Sequence, residues 1–150
     1  MPSESSDLAW FQNRQRKVSF DEGEVAGFAR RVGRDVGRGR DFAVVVASDA
    51  AVRQANTRFR GKRYSTDVLS FPDGERGRLG DILISAHRAE RQAREFGHQV
   101  EDELKLLILH GILHLVGHDH DADDGEMRRV EMRWRKKYGL EPALTERATG

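Results

Sequence analysis

Apolar residues recur along this chain of 150 residues with two periods, and each marks a different element. Phe42 to Ala47 is an unbroken, β-branched apolar run, which predicts a strand buried on both faces and close to the centre of a sheet. Val68 to Phe71, stopped by Pro72, and Leu79 to Ser85, interrupted by Gly80-Asp81, predict two more strands. Trp10 to Phe20 has room for a short one, and Asp73 to Gly77 is turn chemistry. Helical spacing appears in Val25, Phe28, Ala29 and Val32. With Asp21 as cap and Glu24 three residues on, it predicts a helix from about Glu22 to Arg34. Ser48 or Asp49 caps a second helix ending near Phe59, and Ala86 to Phe96 forms a third, closed by Gly97. A last helix spans Glu126 to Tyr138, with Met127, Val130 and Trp134 inward and Gly139 at its end. There is no internal repeat and no linker, so one domain is expected over 1–150, with loose ends at 1–9 and from about Glu141.

One helix breaks the amphipathic rule. From about Gln99 to Val116, leucine, isoleucine and valine cover most of the circumference, so this segment is expected at the centre of the fold. Glu101, Asp102 and Glu103 fill its first turn, where the helix dipole favours negative charge.

Near the end of that helix stand His110 and His114, four residues apart and therefore one turn above the other on a shared face. Gly117 then permits the left-handed turn that ends a helix and brings the chain back. The pattern His-x3-His-x2-Gly-x2-His selects His110, His114 and His120 as ligands of a zinc-like ion, with His118 the alternative for the third. Asp119 is assigned to orienting the site from behind the ligands. Three imidazoles leave a coordination position open, and metal-bound water there is a nucleophile near neutral pH. This ligand spacing is that of the metzincin proteases, but the glutamate that His-Glu-x-x-His enzymes use as base is replaced by Gly111. The metal site is expected; peptide hydrolysis by that route is not.

Charge adds a weaker pointer. Residues 1–63 carry 13 Lys or Arg against 8 Asp or Glu, and residues 64–150 carry 13 against 17, so a net +1 hides a basic front half. Arginine dominates, which suits phosphate contacts. No cysteine is present, which excludes disulfides and thiolate ligands. No stretch approaches the roughly 18 apolar residues of a membrane helix, and the first residues lack a secretory signal. A cytoplasmic location is the expectation, with no membrane role.

Several segments together resemble one family. Phe59-Arg60-Gly61-Lys62, Thr66-Asp67-Val68-Leu69-Ser70-Phe71-Pro72, Gly80-Asp81-Ile82 and the run His110-Gly-x-Leu-His114-Leu-x-Gly-x-Asp119-His120 are similar to the YbeY family. Its members are bacterial metal-dependent endoribonucleases of ribosomal RNA maturation, acting at the small-subunit RNA 3′ end. The resemblance covers about residues 42 to 138, and Asn13-Arg14-Gln15-Arg16 is also similar. It implies an α+β fold: a small mixed four-stranded β-sheet covered by helices, with a buried central metal-binding helix in a zincin-like arrangement. It further implies one zinc ion per chain held by His110, His114 and His120. Arg60 would stabilise charge on the phosphate in the transition state. Ser70, Asp67 and Asp81 are weaker catalytic candidates, with turn or cap hydrogen bonding as their alternative. The implied partner is single-stranded or looped RNA, within ribosomal RNA or the small ribosomal subunit, with a further role in ribosome quality control. RNA carries its own nucleophile in the 2′-hydroxyl, so Gly111 does not remove the chemistry.

Two other functions fit the same residues less well: a metalloprotease whose base comes from another segment, and a non-catalytic ribosome-binding factor with a structural metal. Arg60 has a structural alternative too, pairing with Asp67 or covering a helix end. His87 and His98 are expected at the surface, and Trp10 and Trp134 in packing roles.

Overall fold

A computed structural model of the chain describes residues 10–73, 77–117 and 124–140. The expectations for 1–9, 141–150 and the middle of the 73–77 turn lie outside them. Four strands, β1 (Phe11–Asn13), β2 (Asp41–Ala47), β3 (Val68–Pro72) and β4 (Arg78–Ser85), form one sheet in the order β1-β2-β4-β3. β1 with β2 and β2 with β4 are parallel, and β3 joins β4 antiparallel, so the sheet is mixed. The described residues form five helices, α1 (Glu22–Asp35), α2 (Asp49–Arg60), α3 (Ala86–Phe96), α4 (Val100–Leu115) and α5 (Asp124–Tyr138). The architecture is α+β with a four-stranded mixed sheet. No helix among the described residues is long and apolar enough to cross a membrane.

The apolar runs became β2 and β4, the two strands paired on both sides. Val44 and Val46 lie opposite Ile82 and Ile84, and all four are fully buried. Val45 and Leu83, on the other face, are only half-buried, so β2 is covered more completely on one side than its unbroken apolar run predicts. The first strand is shorter than its segment allows. After Asn13 the chain leaves the sheet, because the Asn13 side chain accepts from both the backbone and the amide of Gln15, folding residues 13–18 into a turn. Gly80 is set by a close approach: a Cβ there would lie 2.2 Å from the Phe71 carbonyl across the β3–β4 pair, and its φ is +144°. That explains the interruption in the apolar pattern of β4.

Helix α4 lies on the sheet face formed by Val44, Val46, Ile82 and Ile84, with α1 and α3 as neighbours. Leu104, Ile108, Leu109 and Ile112 are completely buried. Each contributes roughly 1.5–3 kcal/mol, which makes α4 the most firmly anchored element. Gly111 allows its close seat, since a Cβ there would stand 3.0–3.2 Å from the Ile82 side chain. α5 packs across α4 and reaches α1, where the Tyr138 hydroxyl donates to Asp35 at 2.8 Å.

Candidate metal centre

His110 and His114 ride on the last two turns of α4, and the i, i+4 spacing places their rings together. The two Nε2 atoms are 2.9 Å apart and the ring centroids 4.4 Å apart, tilted by 56°. Two nitrogens converging on one tetrahedral ion at zinc–nitrogen distances would be about 3.3 Å apart, so the pair needs little adjustment to share an ion. The other nitrogen of His110 is already committed: Nδ1 lies 2.6 Å from Glu131 Oε1. An ionised carboxylate only accepts, so Nδ1 carries the proton and Nε2 keeps its lone pair toward His114. Such a carboxylate partner is the usual support of a metal-ligating imidazole.

Glu131 comes from α5 and is itself held by Arg135 one turn on, with Arg135 Nη2 at 2.5 Å from Oε2. Burial by itself raises the Glu131 pKa. The His110 hydrogen bond, with the charge and hydrogen bond of Arg135, outweighs it, and the carboxyl is held below its ordinary value. The prediction for α5 named Met127, Val130 and Trp134 as inward-facing. Val130 is buried and the other two half-buried, but Glu131 and Arg135 are buried on the same face. Sequence reasoning missed this support; its own candidate for the orienting role, Asp119, lies outside the described residues. The available signal was a Glu and an Arg four apart within an otherwise apolar stripe.

His118, Asp119 and His120 lie outside the described residues. Among the described ones no group of three metal-ligating side chains assembles, and His110 with His114 is the converging pair.

The other predicted residues fall in three places. Arg60 ends α2, just before the left-handed cap Gly61, and is exposed. It does not pair with Asp67. Its Nη2 donates to the Ser70 carbonyl at 2.7 Å, and its guanidinium lies over the Phe71 ring. Ser70 in turn directs its hydroxyl to the Gly111 carbonyl at 3.5 Å, so Arg60 is tied to the strand residue that adjoins the histidine helix. Asp67 lines a cleft of about 400 Å³ together with His110, Glu131, Arg135 and Gln92. Asp81 is elsewhere: half-exposed, it pairs with Arg78 at 2.8 Å on the sheet face opposite Ile82 and α4. The structure therefore places Ser70 and Asp67 beside the helix that carries the histidines and leaves Asp81 apart.

The segment bearing Thr66-Asp67 is pinned by Asp49. Ser48 takes the capping role on α2, which frees Asp49 Oδ1 to accept from Ser65 at 2.5 Å, Ser85 at 3.0 Å and Arg88 at 2.9 Å. His87 is exposed as expected, but His98 is not at the surface. After Gly97 the chain turns back and buries the ring, with Nε2 3.0 Å from Glu103 Oε1 in the first turn of α4. Trp10 packs edge-on against Phe11 and Phe42, and Trp134 stacks on Tyr138.

Comparison with known proteins bears on this arrangement. The family model described as Endoribonuclease YbeY matches residues 11–139. The chain belongs to the YbeY family. It is 53% identical to the Endoribonuclease YbeY of Solibacter usitatus over 134 residues, covering 89% of this chain and 90% of that one. With the Endoribonuclease YbeY of Koribacter versatilis it shares 42% over 136 residues, 91% and 90% of the two chains. The solution structure of a Thermotoga maritima protein superposes with a TM-score of 0.60 at 25% identity, over 89% of this chain and 93% of that one. The YbeY match takes in β1 through α5, so Glu131 and Arg135 lie within the family region alongside the histidine pair.

Proposed function

We propose that this chain is a zinc-dependent endoribonuclease that cuts single-stranded or looped RNA in ribosomal RNA maturation, at the small-subunit RNA 3′ end, and serves ribosome quality control in the cytoplasm. Family membership supports the RNA-cleaving activity. The observation that carries the metal assignment is the convergence of His110 Nε2 and His114 Nε2, with the His110 proton fixed on Nδ1 by Glu131. One zinc ion per chain is assigned to His110, His114 and His120, with the chain acting as a single domain on a zincin-like helix.

The donor set fits such an ion: neutral imidazoles suit zinc, and the half-exposed His110 leaves access from solvent. When bound, the ion supplies Lewis-acid charge and a means of activating water near neutral pH. The rest is the work of the chain. Glu131 keeps the proton on His110 Nδ1, and Arg135 keeps Glu131 ionised and in place. Arg60, anchored by one nitrogen on the Ser70 carbonyl, retains further N–H groups for a phosphoryl oxygen that gains charge in the transition state. RNA contributes the 2′-hydroxyl. Asp67, on the cleft wall beside His110, is placed to meet the substrate.

The protease reading is disfavoured by position 111. It faces Ile82 in the core, so a glutamate there would point into the sheet packing rather than toward a substrate. The test is elemental analysis of purified protein with a labelled RNA digest, run with and without chelator. Zinc near one equivalent and chelator-sensitive cleavage are expected, and His114→Ala loses both. Equal cleavage by a metal-free His114→Ala protein sinks the proposal. Arg60→Ala should keep the metal and lose about 10²- to 10³-fold in turnover; undiminished turnover makes Arg60 structural.

A further inference from the structure

A second basic feature lies away from the histidine pair, where α1 turns into β2. Within eleven residues stand Arg30, Arg31, Arg34, Arg38 and Arg40, and all five are exposed. Arg31 lies over the Tyr138 ring, and Asp35 accepts from the Tyr138 hydroxyl, so these two belong to the α1–α5 contact. Trp10, Arg30, Arg34, Arg40 and Phe42 border an open groove of about 640 Å³. Arg78 and Asp41 also line it. Arg78 is neutralised by Asp73 and Asp81, at 2.9 and 2.8 Å, and Asp41 shares the groove with Arg34 and Arg40. Arg34 and Arg38 make no ion pair among the described residues.

Arg38 supplies a separate observation. Its φ is +56°, and among the described residues it is the one non-glycine side chain held in the left-handed region. Glycine or asparagine adopts that conformation at lower cost. An arginine in a left-handed position, at the tip of a basic turn, points to a use for the side chain beyond folding.

The location ties the groove to the chemistry. Glu101 accepts from the Asp21 backbone at 2.7 Å, and Glu24 pairs with Lys105 at 2.6 Å, so α1 and α4 start together and run parallel. Their ends therefore share one end of the molecule. His110 and His114 occupy the last turns of α4 there, and Arg34, Arg38 and Arg40 occupy the end of α1 and its turn.

We propose that Arg34, Arg38 and Arg40, with Arg30 at the groove wall, dock the phosphate backbone of RNA flanking the cleavage point. The inference rests on the RNA-cleaving reading given above. Guanidinium forks match phosphate oxygens, and a single strand that has its scissile phosphate at the histidines extends along this end of the molecule. The contact is with backbone, so it lengthens the footprint and adds no base preference.

Binding reads this without any cleavage. Fluorescence anisotropy of single-stranded RNAs of about 5 and about 20 nucleotides is followed between about 50 and 200 mM salt, in chelator, for the parent and for Arg34→Gln/Arg38→Asn/Arg40→Gln. Removing one arginine–phosphate pair flattens the plot of log affinity against log salt by about 0.7, so the triple variant should flatten it by about 2 for the longer RNA. The fall in affinity across that salt range then shrinks by about 20-fold. The shorter RNA should show a smaller change. Arg38→Asn alone, which suits the left-handed position, should fold with an undiminished melting temperature and flatten the slope by about 0.7. An unaltered slope, or equal flattening for both lengths, overturns the proposal. So does a groove whose variants lose binding to an acidic peptide but not to RNA. Intact RNA binding through these arginines by a protein that cleaves nothing leaves this inference standing and removes the nuclease reading instead.

Discussion

Helix α4 contributes one member to a histidine–carboxylate pair at each end, and the two pairs differ in what the second ring nitrogen meets. At its start, His98 and Glu103 are both buried, with 4% and 0% of their side chains exposed, and His98 Nδ1 is enclosed without a partner among the described residues. Toward its end, His110 keeps 38% exposure while Glu131 is 9% exposed, and the second ring nitrogen meets His114 Nε2. The pairing chemistry is the same, and so is the helix. The carboxylate fixes a proton in both, but only the second pair delivers a lone pair to a place where something else can bind. Burial of the partner with exposure of the ring distinguishes a ligand held ready from a polar pair that serves packing.

Two substitutions probe that distinction and a third tests the neighbouring loop, in falling order of effect. Glu131→Gln removes the acceptor charge behind His110 and should weaken metal affinity about 10- to 100-fold, read by competition with a chromogenic chelator. Unchanged affinity would mean that His110 needs no orienting partner and that the two pairs are alike. Glu103→Ala strips His98 of its partner in the core and should lower stability by about 1–3 kcal/mol in denaturant unfolding, with metal content intact. Metal loss there would erase the contrast. The smallest effect concerns Asp49, the anchor of the loop that presents Asp67. Burial raises its pKa, but hydrogen bonds from Ser65, Arg88 and Ser85 and the charge of Arg88 prevail and hold it below the ordinary carboxylate value. Its contribution to stability is therefore complete above pH about 4 and is lost as pH falls through the lower folded-state value. Asp49→Asn should flatten that acid limb of a stability–pH curve; an identical limb would show that Asp49 ionisation contributes nothing.

Much of this is legible in the sequence. The helix boundaries, the two central strands, the cap at Asp21 and the stop at Gly97 follow from patterns within a few residues, and the histidine spacing places both rings on one face by helix geometry alone. The main shortfalls arise where one element meets another. His98 reads as polar and exposed, yet it pairs with Glu103 and is buried as α3 turns into α4. Glu131 and Arg135 look like ordinary helix charges until α5 crosses α4. Arg60 has Asp67 nearby in sequence as an obvious partner, and β3 instead offers it the Ser70 carbonyl.

By itself, then, the sequence determined the elements and the likeness to a family, because hydrophobic period, turn residues and i, i+4 spacing act within one helix or strand. It also determined that position 111 lacks a base. Only the tertiary structure decided why: α4 lies so close to β4 that Ile82 fills the space a side chain would need. The same holds for the proton on His110, whose location depends on a carboxylate 21 residues away. Such choices are made by packing between elements, where burial and a few polar contacts depend on the sheet order and on which helix crosses which, and neither has a period along the chain.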